Sequence, residues 1–450
     1  MRKESDKTYL FEEAPLSTAV IKLALPKVLS CLVMMLYNLA DTWFVGLLNN
    51  PLETAAVTLS APVLLAFNAV NNLFGVGCAS LMSRALGKKQ FETVRHTSAF
   101  GFWCAIFAGA LFSLFTLLLN TPLLQLLGTD TENAALTEHY LFWTVTCGAI
   151  PAILNVVMAQ LVRAEGSAFH AGAGSISGCI LNMILDPIFI LPWGLNMGAA
   201  GAGLATFLSN IFACLYFFVF LIIKKGKTYV SIRPKLFRFD KYIVKETFGV
   251  GVPAAIQNLL NVTGMTVLNN LMSRYGSEAV SAIGIAHKLA MLLMYISMGI
   301  SQGVMPLVGY NFASGNRKRM RGAVLYTGKI SLFVMLPCAA LFILFSPQVM
   351  RFFMTNDAIV AYGSKFLVAQ CIAQPFLAAD FLGVGVFQAC GKGRYSLVFA
   401  LLRKVVLEIP ALLLLDAIFP LYGLAWAQAA AELVLAAASL FCLKRILKEN

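Results

Sequence analysis

The stretch FGVGCASLMSRALGKKQ at residues 74–90 has a counterpart in QGVMPLVGYNFASGNRK at residues 302–318. Each stretch begins with apolar and small residues and ends with a glycine that is followed by basic side chains. The two stretches lie about half of the chain length apart, and self-similarity over such a distance indicates duplication. The sequence therefore predicts two related halves.

Two further pairs support the duplication. RAEGSAF at residues 163–169 corresponds to QACGKGRY at residues 388–395, and MGAAGAGLA at residues 197–205 corresponds to YGLAWAQAA at residues 422–430. Membrane transporters are often built from such repeats, and six spans in each repeat give the two halves the same orientation.

The composition indicates that these halves lie in a membrane. Of 450 residues, 59% are hydrophobic and only 12% are charged. A helix needs about 20 apolar residues to cross the hydrocarbon core. We predict an all-α integral membrane protein with twelve transmembrane helices in two pseudo-symmetric six-helix bundles. The predicted spans are residues 16–47, 54–84, 97–119, 134–161, 168–191, 198–223, 247–272, 279–308, 323–345, 360–388, 394–416 and 421–443.

Basic side chains set the orientation. They are concentrated in alternate loops, which the positive-inside rule assigns to the cytoplasm together with both termini. The net charge of +13 could suggest nucleic acid as a partner, but the distribution of the basic side chains argues against it. The predicted domains are an N-terminal lobe at residues 1–223, a basic cytoplasmic linker at residues 224–246 and a C-terminal lobe at residues 247–450.

The sequence motifs of soluble enzymes and of ATP-driven transporters are missing from the chain. The chain has no H-E-x-x-H, Walker A or G-x-S-x-G pattern, and its ten cysteines occur without a C-x-x-C pair. Neither an enzyme, a zinc site nor ATP use is predicted, so transport is expected to be driven by an ion gradient without a cofactor.

Two aspartates lie inside predicted spans of the first half. Asp41 follows Asn38 by three residues, and Asp186 follows Asn182 by four, so each pair shares a helical face. Thr206 is expected at a similar depth. Carboxylates, amides and a hydroxyl that meet in a dry site suit Na⁺ or a proton shared between the acids. Charged groups inside a membrane also usually serve a function. The alternative is that the aspartates only accept hydrogen bonds from neighbouring helices.

At this point the sequence resembles the multidrug and toxic compound extrusion (MATE) family, and most closely its bacterial MepA-like branch. The resemblance covers nearly the whole chain. It rests on NLADTWFVG at residues 38–46, LNMILDPIFI at 181–190, GAAGAGLAT at 198–206, GVPAAIQNLL at 251–260 and SQGVMPLVGYNFASGN at 301–316.

The resemblance implies a V-shaped fold in a bacterial cytoplasmic membrane. It implies export of amphipathic, mostly cationic drugs and toxic compounds in exchange for H⁺ or Na⁺. The implied site for the coupling cation, including Na⁺, consists of Asp41, Asn182, Asp186 and Thr206. Pro26 is the implied hinge, and a proline inside a span is a credible place for a bend.

The second half departs from the family pattern. Sodium-coupled relatives of another branch have an acid in helix seven, where this sequence has amides such as Gln257 and Asn261, so a sodium site of that type is not expected. The acids of this half have Lys288, Arg403 and Lys404 as possible counter-charges. Asp380 and Glu432 have no partner nearby in the sequence and are predicted to contact protons or cationic drugs. Glu408 follows Lys404 by four residues and is read as an ion pair.

Several side chains are predicted to line a substrate cavity, and the chain is expected to act as a monomer in the lipid bilayer. The alternative functions are a flippase of a lipid-linked precursor, which would need an arginine-rich cavity, and a membrane-embedded enzyme. The predicted cavity residues are Asn38, Asn68, Asn155, Gln257, Asn261, Met291, Asp380 and Glu432.

Overall fold

The computed structural model describes residues 5–354 and 356–448, with side chains from residue 8 onward. Over these residues it contains helices and no β-strand, which confirms the predicted all-α class. Twelve long helical segments occupy the places of the predicted spans. The first six are α1 (Leu16–Gly46), α2 (Pro51–Gly87), α3 (Phe91–Leu118), α4 (Ala134–Cys147 and Ala149–Ala164, bent by 50°), α5 (Ala168–Ile190) and α6 (Gly198–Ile223). The second six are α7 (Lys241–Met272), α8 (Ser277–Ala313), α9 (Arg317–Leu344), α10 (Asp357–Ala389), α11 (Gly393–Leu401, Leu402–Glu408 and Ile409–Ile418) and α12 (Tyr422–Ile446).

Nine of these helices in the described chain are long and apolar enough to cross a membrane, or ten if the bent α4 is one span. The segments α7 and α11 are helical but more polar than the prediction of twelve apolar spans assumed. Amide side chains lower the hydropathy of α7, and α11 carries Arg403, Lys404 and Glu408 within its apolar sequence.

Three of the long segments contain a π-helical turn. These turns are Asn72–Val76 in α2, Phe142–Cys147 in α4 and Leu402–Glu408 in α11. A π-helical turn adds a residue to one turn of a helix, and such turns are frequent at functional sites. The remaining short elements are the α-helices Ser5–Glu12, Asn120–Leu127 and Ser346–Phe353 and the 3₁₀ turns Pro234–Leu236 and Ser273–Tyr275.

Contacts group the chain into two compact units whose boundaries differ from the predicted lobes. The first unit contains Leu29–Ala255, and the second contains Phe11–Val28 together with the part of the chain that begins at Ile256. The boundaries fall inside α1 and α7, shortly after Pro26 and Pro253. Each of these two helices therefore contributes one end to each unit.

The segment predicted as a linker, residues 224–246, packs within the first unit. The Trp103 indole N–H donates to the carbonyl of Ile232 over 3.2 Å. Arg84 at the end of α2 forms an ion pair with Glu246 at the start of α7, with 2.6 Å between Nη1 and Oε2. The basic segment is thus fixed to α2 and α3 of its own unit.

In the first unit, small residues bring α5 and α6 close together. A Cβ atom at Gly201 would lie 2.5 Å from the carbonyl oxygen of Phe189, which is closer than real Cβ atoms approach. Glycine at this position allows the start of α6 to touch the end of α5, as small residues do between membrane helices. This contact sets the distance between the polar residues that the two helices carry further along.

In the second unit, α10 is the most enclosed of the candidate spans, because 72% of its 18-residue apolar stretch is buried. It is held between α8 and α12 by close glycine contacts. A Cβ at Gly385 would collide with the Ser301 side chain, and one at Gly383 would collide with Ser439. The close packing removes water from the polar groups on α10.

The N-terminal segment is bound to the second unit. Arg319 on α9 donates to two backbone carbonyl oxygens of this segment, from Nε to Phe11 over 2.5 Å and from Nη2 to Ala14 over 2.6 Å. Asn311 also donates to the Phe11 carbonyl, over 3.1 Å, and the Phe11 ring stacks on Tyr310 with centroids 5.0 Å apart. The chain that leads into α1 is therefore anchored to α8 and α9.

Candidate ion-coupling site

The centre of the first unit contains a hydrogen-bonded trio on α5 and α6. Asn182 is 2% exposed and Asp186 is fully buried. With the amide oriented to satisfy both of its groups, Asn182 Nδ2 donates to Asp186 Oδ2 over 2.9 Å, and Asn182 Oδ1 accepts from the Thr206 N–H over 3.1 Å. The Asn182 amide also lies 3.3 Å from the Thr206 hydroxyl. These three predicted site residues are thus in contact.

Asp41 on α1 lies next to this trio. Its carboxylate interacts electrostatically with Asp186, and its Oδ1 is buried without a hydrogen-bond partner in the described structure. The phenols of Tyr37 and Tyr140 are within electrostatic range of both carboxylates, and Tyr37 also interacts with the Thr206 side chain. The structure therefore adds two tyrosines that were not predicted, because aromatic residues in apolar spans usually indicate packing.

Asn38 does not pair with Asp41 in the way that Asn182 pairs with Asp186. It is exposed, and its Nδ2 donates to the Met34 carbonyl of its own helix over 2.9 Å. The two pairs thus differ in their hydrogen bonds, because a side chain on a helix can satisfy itself on the preceding turn. Asn68 is also exposed, and its backbone carbonyl accepts a hydrogen bond from the Asn72 side chain over 2.7 Å.

Asn155 connects α4 to the trio. Its Nδ2 donates to Asn210 Oδ1 over 3.2 Å, and Asn210 Nδ2 donates in turn to the Thr206 carbonyl over 2.9 Å. Asn210 follows Thr206 by one helical turn and was not predicted from the sequence. The Asn155–Asn210 pair is thus hydrogen-bonded to the backbone of Thr206. Asn155 therefore has a partner on α6 that the sequence did not reveal.

In the second unit, Asp380 and Glu432 meet a partner from a third helix. Arg403 on α11 has its Nε 2.6 Å from Glu432 Oε1 and its Nη1 3.9 Å from Asp380 Oδ2. All three side chains are at most 4% exposed. The two acids, which have no partner nearby in the sequence, are therefore paired with Arg403, one of the counter-charges that the second half offers.

The remaining predicted residues of the second unit lie in different surroundings. The predicted Lys404–Glu408 ion pair is present, with Nζ 2.7 Å and 2.6 Å from the two carboxylate oxygens. Gln257 accepts from Gln388 over 3.5 Å. Asn261 and Met291 are half-buried.

The chemistry of the first-unit cluster is that of a cation or proton site. Two carboxylates, an amide, a hydroxyl and two phenols converge in an apolar helical bundle, and these oxygen donors are the ligands of hard cations. Among the described residues, neither Asp41 nor Asp186 has a Lys or Arg within ion-pair distance. The described chain also contains no group of three or more His, Cys, Asp or Glu side chains arranged to hold a metal, so a metal ion bound here would need neutral oxygen donors in addition to the two carboxylates.

The profile of the MatE family matches residues 26–188 and again residues 253–414. The chain belongs to this family. The two matched stretches begin at Pro26 and Pro253, which agrees with the duplication found in the sequence. The predicted family is thereby confirmed, and the protein is a membrane transporter rather than an enzyme.

Relatives of this MatE protein are similar over nearly their full length. The multidrug export protein MepA of Staphylococcus aureus (strain MRSA252) is 31% identical over 438 residues, which cover 97% of this chain and 95% of the relative. MepA of Staphylococcus haemolyticus (strain JCSC1435) is 30% identical over 440 residues, with the same coverage.

Solved structures of MATE proteins have the same fold. One of MATE in the straight conformation has a TM-score of 0.92 at 26% identity and covers 99% of both chains. One in the bent conformation has a TM-score of 0.89 at 26% identity and covers 98% of this chain and 97% of the other. An outward-facing multidrug resistance MATE transporter has a TM-score of 0.92 at 26% identity and covers 98% of both. The predicted MATE fold is confirmed.

Proposed function

We propose that this chain is an antiporter that exports amphipathic, mostly cationic drugs in exchange for H⁺ or Na⁺. It acts as a monomer in a bacterial cytoplasmic membrane with both termini in the cytoplasm. The observation that supports the proposal most strongly is the buried cluster of Asp41, Asn182, Asp186 and Thr206. Its relatives in Staphylococcus are named multidrug export proteins.

The charge of the cluster supports coupling to a cation. Asp41 and Asp186 interact electrostatically, and no cationic side chain of the described chain is paired with either. Two neighbouring carboxylates in an apolar interior repel each other and lose hydration, so a proton or a sodium ion that enters between them is bound favourably. The Tyr37 and Tyr140 hydroxyls supply further oxygen atoms nearby.

Binding at the cluster has a route to the rest of α1. Asp41 lies on the part of α1 that belongs to the first unit, whereas Pro26 lies on the part that belongs to the second. A proline inside a helix removes one backbone hydrogen bond and permits bending. A cation that draws Asp41 toward Asp186 therefore acts on a helix that bends most easily at Pro26.

Drug contacts are assigned to side chains that are accessible near these helices. Asn38 and Asn68 are exposed, and Gln257, Asn261 and Met291 are half-buried. Amides provide hydrogen bonds, and methionine adapts to ligands of different shape. Each is proposed to contact the drug during export. Asn155 is proposed to act indirectly, since it holds Asn210 and thereby Thr206.

The proposal is tested by following ethidium efflux from membrane vesicles that contain the full chain. A pH gradient and a sodium gradient are imposed separately, and the gradient that drives efflux identifies the coupling ion. Asp41→Asn and Asp186→Asn are expected to abolish gradient-driven efflux, whereas the control Asp357→Asn, at an exposed ion pair with Arg351, is expected to retain it. Wild-type efflux by Asp41→Asn under the driving gradient would overturn the proposal.

A further inference from the structure

A second buried cluster of charges lies in the second unit, apart from the coupling site. Asp380 on α10, Arg403 on α11 and Glu432 on α12 are 1%, 3% and 0% exposed. Arg403 contacts both acids, closely at Glu432 and more distantly at Asp380. Its guanidinium also lies over the ring of Phe381, with 5.1 Å from Cζ to the ring centroid. The arginine is thus held in place by the ring and by the carboxylates.

The carboxylate oxygens of this cluster are poorly satisfied. Asp380 Oδ1 and Glu432 Oε2 are buried without a hydrogen bond from any described group, and the contact that Glu432 Oε1 makes is with Arg403 Nε. A buried carboxylate that lacks donors is costly in its charged form.

The charges of the surrounding groups do not balance. Lys404 and Glu408 belong to the same electrostatic network, and Lys404 is bound to both oxygens of Glu408. His287 on α8 interacts with this pair, and its Nδ1 has no hydrogen-bond partner among the described residues. With His287 neutral, the three carboxylates face only two cations, Arg403 and Lys404. The fully ionised cluster would bury one unbalanced negative charge.

We propose that Asp380 and Glu432 hold one proton between them beside Arg403, and that this second site binds H⁺ and not Na⁺. One proton makes the cluster neutral and turns an unsatisfied oxygen into a donor. A proton needs no coordination shell, whereas a metal ion needs several oxygen ligands around it. Arg403 already occupies the position beside both acids, so it acts as a built-in cation that excludes a metal ion.

The position of Arg403 links the binding of this proton to the local geometry of α11. Arg403, Lys404 and Glu408 all lie in the π-helical turn Leu402–Glu408. Resolution of such a turn into regular α-helix would shift these side chains around the helix axis. Because Arg403 balances one of the two acids, a shift that moves it away raises the affinity of the site for protons.

The test counts protonated carboxyl groups by infrared spectroscopy, which distinguishes a carboxylic acid from a carboxylate. The purified full-length protein carries Asp41→Asn and Asp186→Asn, so that the coupling site is silent. At neutral pH this parent is expected to show a carboxylic acid band. Asp380→Asn and Glu432→Gln are each expected to remove the whole band, because the one remaining acid then pairs with Arg403.

Three further measurements define the site. Sodium chloride is expected to leave the band of the parent unchanged, and the control Asp357→Asn is expected to do the same. Arg403→Gln is expected to increase the band about two-fold, since both acids then lose their cation. Should this variant not fold, the two single acid variants still decide the question.

Absence of the band from the parent, its survival in both single acid variants, or its loss on addition of sodium would each overturn the proposal. The measurement does not depend on export, so it remains valid whether or not the proposed antiport is found. Conversely, loss of efflux in Asp41→Asn says nothing about this band. The two proposals therefore fail separately.

Discussion

Asn182 donates to Asp186 from the preceding turn of α5, and the two side chains form one hydrogen-bonded unit at the coupling site. The same amide accepts from the Thr206 N–H, so a single side chain fixes the position of α6 relative to the Asp186 carboxylate. The proposed coupling site thus contains a neutral residue as well as its acids.

Asn182→Ala is expected to change the affinity for the coupling ion while the acids remain. A Na⁺ site would lose an amide ligand and weaken, whereas an H⁺ site would bind its proton more tightly, because the charged form of Asp186 loses a donor. The change leaves Asp186 Oδ2 without its donor, and loss of a buried hydrogen bond is worth about 1–3 kcal/mol, which is roughly five-fold to more than a hundred-fold in affinity. The measurement is the gradient needed for half-maximal ethidium efflux. Asn120→Ala, which removes an exposed bond to Glu138, is the control. Equal gradients for the two variants would contradict the assignment.

Pro26→Ala is expected to slow export without destabilising the fold. Alanine restores helical hydrogen bonding, and a proline inside a helix costs about 3 kcal/mol relative to alanine. The variant should therefore unfold at the wild-type temperature or above it, while α1 becomes harder to bend. Pro337→Ala in α9 removes another proline inside a helix and serves as the control. Wild-type efflux rates in Pro26→Ala would rule out the hinge.

Gly201→Ala is expected to destabilise the first unit and to weaken coupling. The new methyl group would meet the Phe189 carbonyl, and overpacking of this kind costs about 1–3 kcal/mol. Displacement of α6 also draws Thr206 away from Asn182. Gly249→Ala on α7, where no atom lies within 4 Å of the added Cβ, is the matched control. Thermal unfolding in detergent checks the result, and the prediction fails if both variants are equally stable.

Lys404→Met is expected to be more harmful than Lys404→Met combined with Glu408→Leu. Removal of one partner leaves a buried charge alone at a cost of about 3–5 kcal/mol, whereas apolar replacement of both partners is often neutral. The comparison of the two unfolding temperatures gives the answer. If the double variant is the less stable one, the Lys404–Glu408 pair stabilises the protein by more than the compensation of one buried charge by the other.

Arg319→Met is expected to release the N-terminal segment. Arg319 supplies two of the hydrogen bonds that hold Phe11 and Ala14, and a segment without such contacts opens locally at little cost. Limited proteolysis should then cut near these residues several-fold faster. Arg321→Met changes an exposed arginine two residues further along α9 and should leave the rate unchanged. Equal cleavage of both variants would show that Arg319 is dispensable.

The sequence was sufficient for features that depend on periodicity and composition. Apolar length located the helices, and α6 begins and ends at the predicted residues, 198 and 223. Asn182 and Asp186 were predicted to share a helical face from their spacing, Thr206 was expected at a similar depth, and the family resemblance implied the same set. Here the local pattern and the tertiary contact agree.

The sequence was insufficient to choose among partners at unrelated positions, and it offered Arg403 only as one of three possible counter-charges. Arg403 is not at helical spacing from Asp380 or Glu432, so only packing of α10, α11 and α12 brings the three together. Asn38 has the right spacing from Asp41, but its rotamer directs the amide to Met34. Spacing fixes the face of a helix, whereas the hydrogen bond depends on the rotamer and on competing acceptors.

The unit boundaries inside α1 and α7 mean that the two gene halves exchange segments reciprocally. Phe11–Val28 is encoded with the first half but belongs to the second unit, and the start of α7 is encoded with the second half but belongs to the first. A split gene cut between α6 and α7 would thus yield two incomplete fragments, each lacking a piece supplied by the other. Restoration of a functional transporter would require their co-expression, and the fragments would complement each other as obligate partners.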